Sequence, residues 1–188
     1  MKKHFSVVMS VYRLDNPGHF KQAIDSVLNQ TFLPDMIIVV IDGPINSNLD
    51  GVVSSYEENP VVRLERLPEN IGLGAARHHA ILSTDTPIIA VMDSDDICAP
   101  NRFERQMSAI NTMDVDVVGA FIAEFSHSPD TQERVREVPL TCEQIIKRGR
   151  FFSPINHVTI MFRKDSYLRA GGYKGLRKVE DYDLFHRM

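Results

Sequence analysis

Pro87-Ile88-Ile89-Ala90-Val91-Met92-Asp93-Ser94-Asp95-Asp96 is the stretch on which the fold turns. Its first six residues are apolar and too few for a surface helix, so they read as a strand buried on both faces. Carboxylates Asp93, Asp95 and Asp96 follow at once. Held together, such acids repel one another unless a cation, hydrogen bonds or solvent offsets the repulsion. Magnesium and manganese prefer oxygen ligands and are often held by one or two carboxylates plus substrate phosphates. An exposed acidic turn before the helix opened by Pro100 would show the same residues. Spacing alone leaves both readings open.

Outward from this point, strands and helices alternate. Phe5 to Val11 and Met36 to Ile41 are continuous apolar runs, and Val61 to Arg66 is a weaker strand. Asn16-Pro17 supplies an N-cap and a proline at the first helical position. Phe20, Ala23, Ile24, Val27 and Leu28 then recur at helical spacing. Asn70-Ile71-Gly72-Leu73-Gly74 opens a helix that runs to Leu82. Toward the C-terminus, Pro100 begins a helix with Phe103, Met107 and Ile110 on one face. Val115 to Phe125 reads as a strand broken at Gly119, and polar Ser126 to Val138 as a mobile loop. Thr141 with Gln144 marks a capped short helix. Val158 to Phe162 is a late strand, and Asp165 to Ala170 a short helix stopped by Gly171-Gly172. Glu180 to Met188 opens a last helix, acids first, with no stop signal, so the sequence reads as truncated at its C-terminus. The alternation predicts an α/β domain with a mostly parallel sheet, whose ligands sit at the carboxyl ends of the strands.

At 188 residues a single domain is expected. A net charge of −4 provides no basic footprint, which argues against nucleic acid as a partner. A phosphorylated small molecule stays compatible, because a metal ion can bring the positive charge locally. Cys98 and Cys142 lack metal-ligand spacing and predict a reduced, cytoplasmic protein. The N-terminus shows no signal-peptide pattern, and the apolar run Met36 to Ile41 is far short of the roughly 20 residues that span a bilayer. Peripheral attachment, at the inner face of a membrane, is left open.

A strand, then Met92-Asp93-Ser94-Asp95-Asp96, then a proline and a helix resembles the DxD motif of family-2 glycosyltransferases of the GT-A fold. Other segments share the resemblance. Met9-Ser10-Val11-Tyr12 stands where the family's first strand ends in a proline, a small residue and a tyrosine, with Ser10 in the proline's place. Ile41-Asp42-Gly43 keeps one of the two acids usual before that glycine. Asn70-x-Gly72-x-Gly74-Ala75-Ala76-Arg77 matches the segment beside the base, and Glu180-Asp181, after Gly171-Gly172-Tyr173, looks like the ED motif.

The resemblance covers Phe5 to Met188 and implies a Rossmann-like α/β/α sandwich forming one catalytic domain. Residues 1–98 would be its nucleotide-binding half and 99–188 its acceptor-side half, incomplete at the C-terminus. It implies inverting transfer from a nucleotide-diphosphate sugar, a UDP-sugar, to a saccharide or lipid-linked acceptor in bacterial surface polysaccharide biosynthesis. Mg²⁺ or Mn²⁺ would be held by Asp95 and Asp93, with Ser94 and Asp96 adjacent. Ser10, Val11, Tyr12, Asp42, Asn70, Gly74 and Arg77, with Asp93, Ser94 and Asp95, would line the nucleotide-sugar site. Asp181 would be the catalytic base with Glu180 in support, and His157 an acceptor-side contact.

Other readings account for the same residues. Glu180 and Asp181 also suit a helix N-terminus for the macrodipole alone. A dinucleotide fingerprint fails, because Arg77 occupies the third glycine's place. A nucleotidyltransferase would show a glycine-rich basic loop after the first strand, whereas Tyr12 to Pro17 has no glycine. A non-catalytic nucleotide-sugar-binding domain, or part of a larger polysaccharide synthase, stays in play. His78 and His79 read as partly exposed helix residues.

Overall fold

The structure is a computed structural model that describes residues 4–126, 128–176 and 179–188. Its central sheet has the order β3-β2-β1-β4-β8-β5. Strands β1 (Phe5–Val11), β2 (Met36–Ile41), β3 (Val62–Arg66) and β4 (Ile88–Val91) run parallel. Their connections are the helices α1 (Pro17–Leu28), α2 (Ser47–Ser54) and α3 (Leu73–Leu82). After α4 (Arg102–Met113) and the short β5 (Val117–Val118), a ribbon of β6 (Ile122–Glu124) and β7 (Arg134–Arg136) leaves the main sheet. The chain then forms α5 (Cys142–Gly149), a 3₁₀ turn (His157–Thr159), β8 (Met161–Arg163), α6 (Lys164–Arg169) and α7 (Glu180–Arg187). Strand β8 is antiparallel to both β4 and β5.

Strands β2 and β4 are unbroken apolar runs, and β1 departs from that only at Ser6 and Ser10, because both faces of the sheet are covered there. Side chains alternate across β1. Val7, Met9 and Val11 join Phe20 and Ile24 of α1, Leu49 of α2 and Phe103 of α4 on one side. Val8 faces the other layer with Ala76 and Ala80 of α3, Tyr167 of α6 and Leu184 of α7. Each fully buried Leu, Ile, Val or Phe contributes roughly 1.5–3 kcal/mol. The three-layer α/β/α arrangement expected from the sequence is the one observed. At the start of α1, Asn16 Oδ1 accepts from Gly18 N at 2.8 Å and His19 N at 3.2 Å, the predicted cap.

Four local expectations need correction. Helix α2 was not anticipated, because Leu49 and Val53 are its only buried residues, with Val52 half-buried beside them, too few for a periodic signal. Asn46 Oδ1 nonetheless caps it, accepting from Leu49 N at 3.0 Å. The run Val115 to Phe125 is two strands in two sheets, divided where the Ile155 side chain packs so tightly on Gly119 that no Cβ would fit. The expected loop 126–138 contains β7, which pairs with β6 from Ile122↔Arg136 to Glu124↔Arg134; His127 lies outside the described residues. The late strand begins three residues after Val158, because residues 157–159 form the 3₁₀ turn first. The other predicted elements agree with the observed ones to within a few residues at their ends.

Candidate active site

The carboxyl ends of β1, β2 and β4 place Val11-Tyr12, Asp42-Gly43 and Asp93 to Asp96 along one edge of the sheet. Met92 N donates to Val8 O at 3.1 Å and Asp42 N to Val11 O at 2.7 Å, so the ladder holds these turns in register. Ser10 is buried within β1, while the Tyr12 side chain is exposed.

Asp42 is buried, and its carboxylate is directed at the loop before α3. It accepts from Ile71 N at 2.7 Å, Gly72 N at 3.0 Å and Asn70 Nδ2 at 2.9 Å. Asn70 Nδ2 also reaches Asp42 O at 3.1 Å. The two residues expected to meet a nucleotide therefore organise the loop beside it. Gly43 makes this closure possible: it has φ +83°, and a Cβ there would lie 2.6 Å from Asn70 N.

Asp93, Asp95 and Asp96 converge, their nearest carboxylate oxygens all within 4.8 Å of one another. Asp95 is the exposed member. Burial, reinforced by the charges of Asp93 and Asp95, pushes Asp96 up to about 6. Three converging oxygens and a carboxyl strained by like charge form a donor set suited to a hard divalent cation. A fourth acid, which the sequence reading missed, stands beside them. Asp15 Oδ2 accepts from Ser94 Oγ at 2.9 Å and Tyr12 N at 3.1 Å, and burial raises its pKa. The spacing Tyr12-x-x-Asp15 in a turn was the available signal.

Two guanidinium groups stand behind the acids. Arg77, 3% exposed, donates from Nη2 to Asp93 Oδ1 and from Nη1 to His157 Nδ1, the latter at 3.0 Å. Its place is inside the wall, bracing Asp93, rather than on open surface. Arg102 was also missed; it donates to Val91 O at 2.8 Å and to Gln106 Oε1 at 3.0 Å. It pins the end of β4 just before the acidic turn, and burial lowers its pKa while Asp93 and Asp96 counteract that. Nothing in its local sequence marks it.

On the other side, His157 Nε2 lies 2.6 Å from the Tyr173 hydroxyl. Burial first, and then the Arg77 charge, hold His157 well below the usual histidine range. Tyr173 N donates to the Tyr167 hydroxyl at 2.9 Å, which lies 2.7 Å from His78 Nδ1. His78 is thus tied into the core, whereas exposed His79 pairs with Glu65 at 2.9 Å. Gly172 permits the contact: φ is +63°, and a Cβ would stand 2.8 Å from His78 Cε1.

Glu180 and Asp181 open α7, which is anchored where Tyr182 donates to Gly149 O at 2.7 Å. Glu180 packs over Gly74, where a Cβ would stand 3.4 Å from Glu180 Cγ and 3.7 Å from Tyr173 Cβ. Gly74 therefore sits beneath the acid-bearing helix. Glu180 Oε2 is buried with no hydrogen-bond partner among the described residues, and Asp181 Oδ1 accepts from Tyr182 N at 2.7 Å. Arg177 and Lys178, just before α7, lie outside the described residues.

Among proteins of known family, the chain is 36% identical over 185 residues to an uncharacterised glycosyltransferase of Haemophilus influenzae, covering 98% of this chain and 68% of that one. It is 34% identical to the amylovoran biosynthesis glycosyltransferase AmsE of Erwinia amylovora, with 98% and 69% coverage. It is 32% identical to the UDP-Gal:alpha-D-GlcNAc-diphosphoundecaprenol beta-1,3-galactosyltransferase of Escherichia coli, with 96% and 66% coverage. Among solved structures, S. aureus TarS in complex with UDP-GlcNAc superposes with a TM-score of 0.75 at 18% identity, over 98% of this chain and 52% of TarS. The mannosyltransferase PcManGT of Pyrobaculum calidifontis in complex with GDP-Man and Mn2+ gives 0.68 at 14% identity, over 95% and 50%. The chain thus spans about two thirds of the length of these sequence relatives and about half of the solved chains. The glycosyl transferase family 2 model matches residues 6–172, and with this fold and acidic edge the chain belongs to that family.

Proposed function

We propose that this chain is the catalytic domain of an inverting glycosyltransferase that moves a sugar from a UDP-sugar to a saccharide or lipid-linked acceptor, in bacterial surface polysaccharide assembly. Residues 1–98 bind the nucleotide and 99–188 form the acceptor side. The observation that carries the reading is the convergence of Asp93, Asp95 and Asp96 at the carboxyl edge of β4, braced by Arg77. The E. coli relative's name supplies the support for a UDP-sugar donor and a diphospholipid-linked acceptor.

Asp95 and Asp93 would hold Mg²⁺ or Mn²⁺, with Ser94 fixed to Asp15 behind them. When bound, that ion neutralises charge on the departing diphosphate. The edge formed by Ser10, Val11, Tyr12 and the Asp42–Asn70 loop offers the nucleotide a rigid seat, and Gly74 and Arg77 support its back. Asp181 takes the proton of the acceptor hydroxyl as that oxygen attacks the anomeric carbon. The carbon–oxygen bond to the diphosphate breaks on the opposite face, which inverts the configuration. Glu180, packed on α3, orients Asp181 or the acceptor.

We place this chemistry at the cytoplasmic face of a membrane, with the protein associated peripherally. No described helix is long and apolar enough to cross a membrane. Five basic and two acidic side chains lie between residues 134 and 152, beside exposed Leu140, Ile146, Phe151 and Phe152. That composition suits an anionic lipid surface.

The test is transfer from UDP-sugars to a panel of saccharide and diphospholipid-linked acceptors, with the anomeric configuration of the product read by NMR. An inverted linkage, lost in Asp181→Asn, is the expected result. Metal-dependent UDP binding without transfer or hydrolysis, even in a longer chain, would favour a non-catalytic binding domain.

A further inference from the structure

His157 was expected to face the acceptor, yet both of its ring nitrogens are engaged within the protein. The direction of those bonds follows from chemistry. A guanidinium can only donate, so His157 Nδ1, 3.0 Å from Arg77 Nη1, must be the bare acceptor nitrogen. Nε2 therefore carries the proton and donates it to the Tyr173 oxygen at 2.6 Å. The Tyr173 hydroxyl, already accepting, retains its own proton. Among the described residues no acceptor takes that proton, although the side chain is 7% exposed. Asp93 and Asp181 both lie within electrostatic reach of this hydroxyl.

We propose that His157 is a positioning residue which holds Arg77 against Asp93 and orients Tyr173, whose free O–H donates to an oxygen of the bound donor between Asp93 and Asp181. The directed chain Tyr173–His157–Arg77–Asp93 links the segment before the acid-bearing α7 to the acidic turn after β4. A neutral imidazole is the one ring form that fits, because a second proton on Nδ1 would oppose Arg77. The link is built from residues about 80 positions apart, so it exists only in the folded domain. It rests on the proposed donor site and extends it with a residue outside the acidic cluster.

Its test has a part that needs no ligand. Long-range ¹H–¹⁵N correlation spectra of the free protein should show His157 neutral, protonated on Nε2, from pH 6 to 8. The opposite tautomer, or a charged ring, overturns the chain whatever the protein binds. UDP is then titrated with Mn²⁺ into the wild-type chain; absence of binding there counts against the donor site, while the spectra judge the chain by themselves. Given binding, His157→Leu should weaken it by about tenfold. His157→Gln, which can accept from Arg77 and donate to Tyr173, should restore it to within about threefold, as expected for a lost and regained charge-assisted bond. Should His157→Leu fail to fold, Tyr173→Phe serves, because it keeps the ring and the Tyr173 N bond to Tyr167. That variant should keep the His157 tautomer and lose UDP affinity by about tenfold. Unaltered affinity in Tyr173→Phe, or a Gln variant as weak as the Leu variant, would overturn the proposal.

Discussion

The two sides of the sheet edge are built differently. On the side assigned to the donor, Asp42 and Arg77 are buried, and each is held by two or more hydrogen bonds to residues at least 16 positions away. On the acceptor side, every residue of β7 is exposed, and Leu140, Ile146, Phe151 and Phe152 present apolar side chains to the outside. A rigid polar wall suits a ligand whose parts are always the same, a nucleotide and a diphosphate. Loops and an open ribbon suit the partner that varies, because they can change without disturbing the sheet.

Asp181→Asn should lower transfer by about 10²–10⁴-fold, the range for a lost general base, while leaving UDP affinity within about twofold; parallel turnover and calorimetric measurements separate the two. Phe20, in the half assigned to the nucleotide, and Phe152, in the half assigned to the acceptor, offer a matched pair, fully buried and 67% exposed respectively. Denaturant unfolding should show a loss of about 3–5 kcal/mol for Phe20→Ala and less than about 0.5 kcal/mol for Phe152→Ser. If both variants lose the same stability, the acceptor side is as tightly built as the donor side, and the contrast fails. Gly43→Ala should cost about 2 kcal/mol or more, from a positive φ combined with a clash on the Asn70 backbone.

Acidity supplies the smallest and most specific effect. Asp96 is pushed up to about 6 by burial and by its acidic neighbours. A carboxyl raised above its unfolded value of 3.8 destabilises the metal-free fold. That penalty is absent below about pH 4, grows between pH 4 and 6, and is complete above the folded value. The metal-free protein should therefore gain stability from this group as pH falls from 7 to 5. Mn²⁺ affinity should move the opposite way, weakening as the acid takes up its proton. Asp96→Asn should flatten both profiles between pH 5 and 7, as thermal unfolding and metal titration would record.

The strands and the acidic turn were legible because they are local: a continuous apolar run and its terminal acids sit side by side in the chain. Helix α2 was hidden because only Leu49 and Val53 of it are buried, too few for a periodic signal. The β6–β7 ribbon was hidden because Arg134-Val135-Arg136 is polar and exposed, and its strand character comes from its partner. Asp93 and Asp95 could be singled out by type and spacing, but what braces them could not. Arg77 was read as facing a nucleotide, and only the folded chain shows it turned to Asp93 and His157. Arg102 resembles any other basic residue in the first turn of a helix until its carbonyl partners are seen. Sequence marks the groups that face the site; the groups that hold them are specified by distant packing.

The proposed transfer requires this edge to bind a nucleotide diphosphate through a metal held by Asp95. Calorimetric titration of UDP, with and without Mn²⁺, into the wild-type protein and Asp95→Ala measures this binding. Binding that requires Mn²⁺ and disappears in Asp95→Ala is the predicted result. UDP binding that is equally tight without metal, or unchanged in Asp95→Ala, would contradict it.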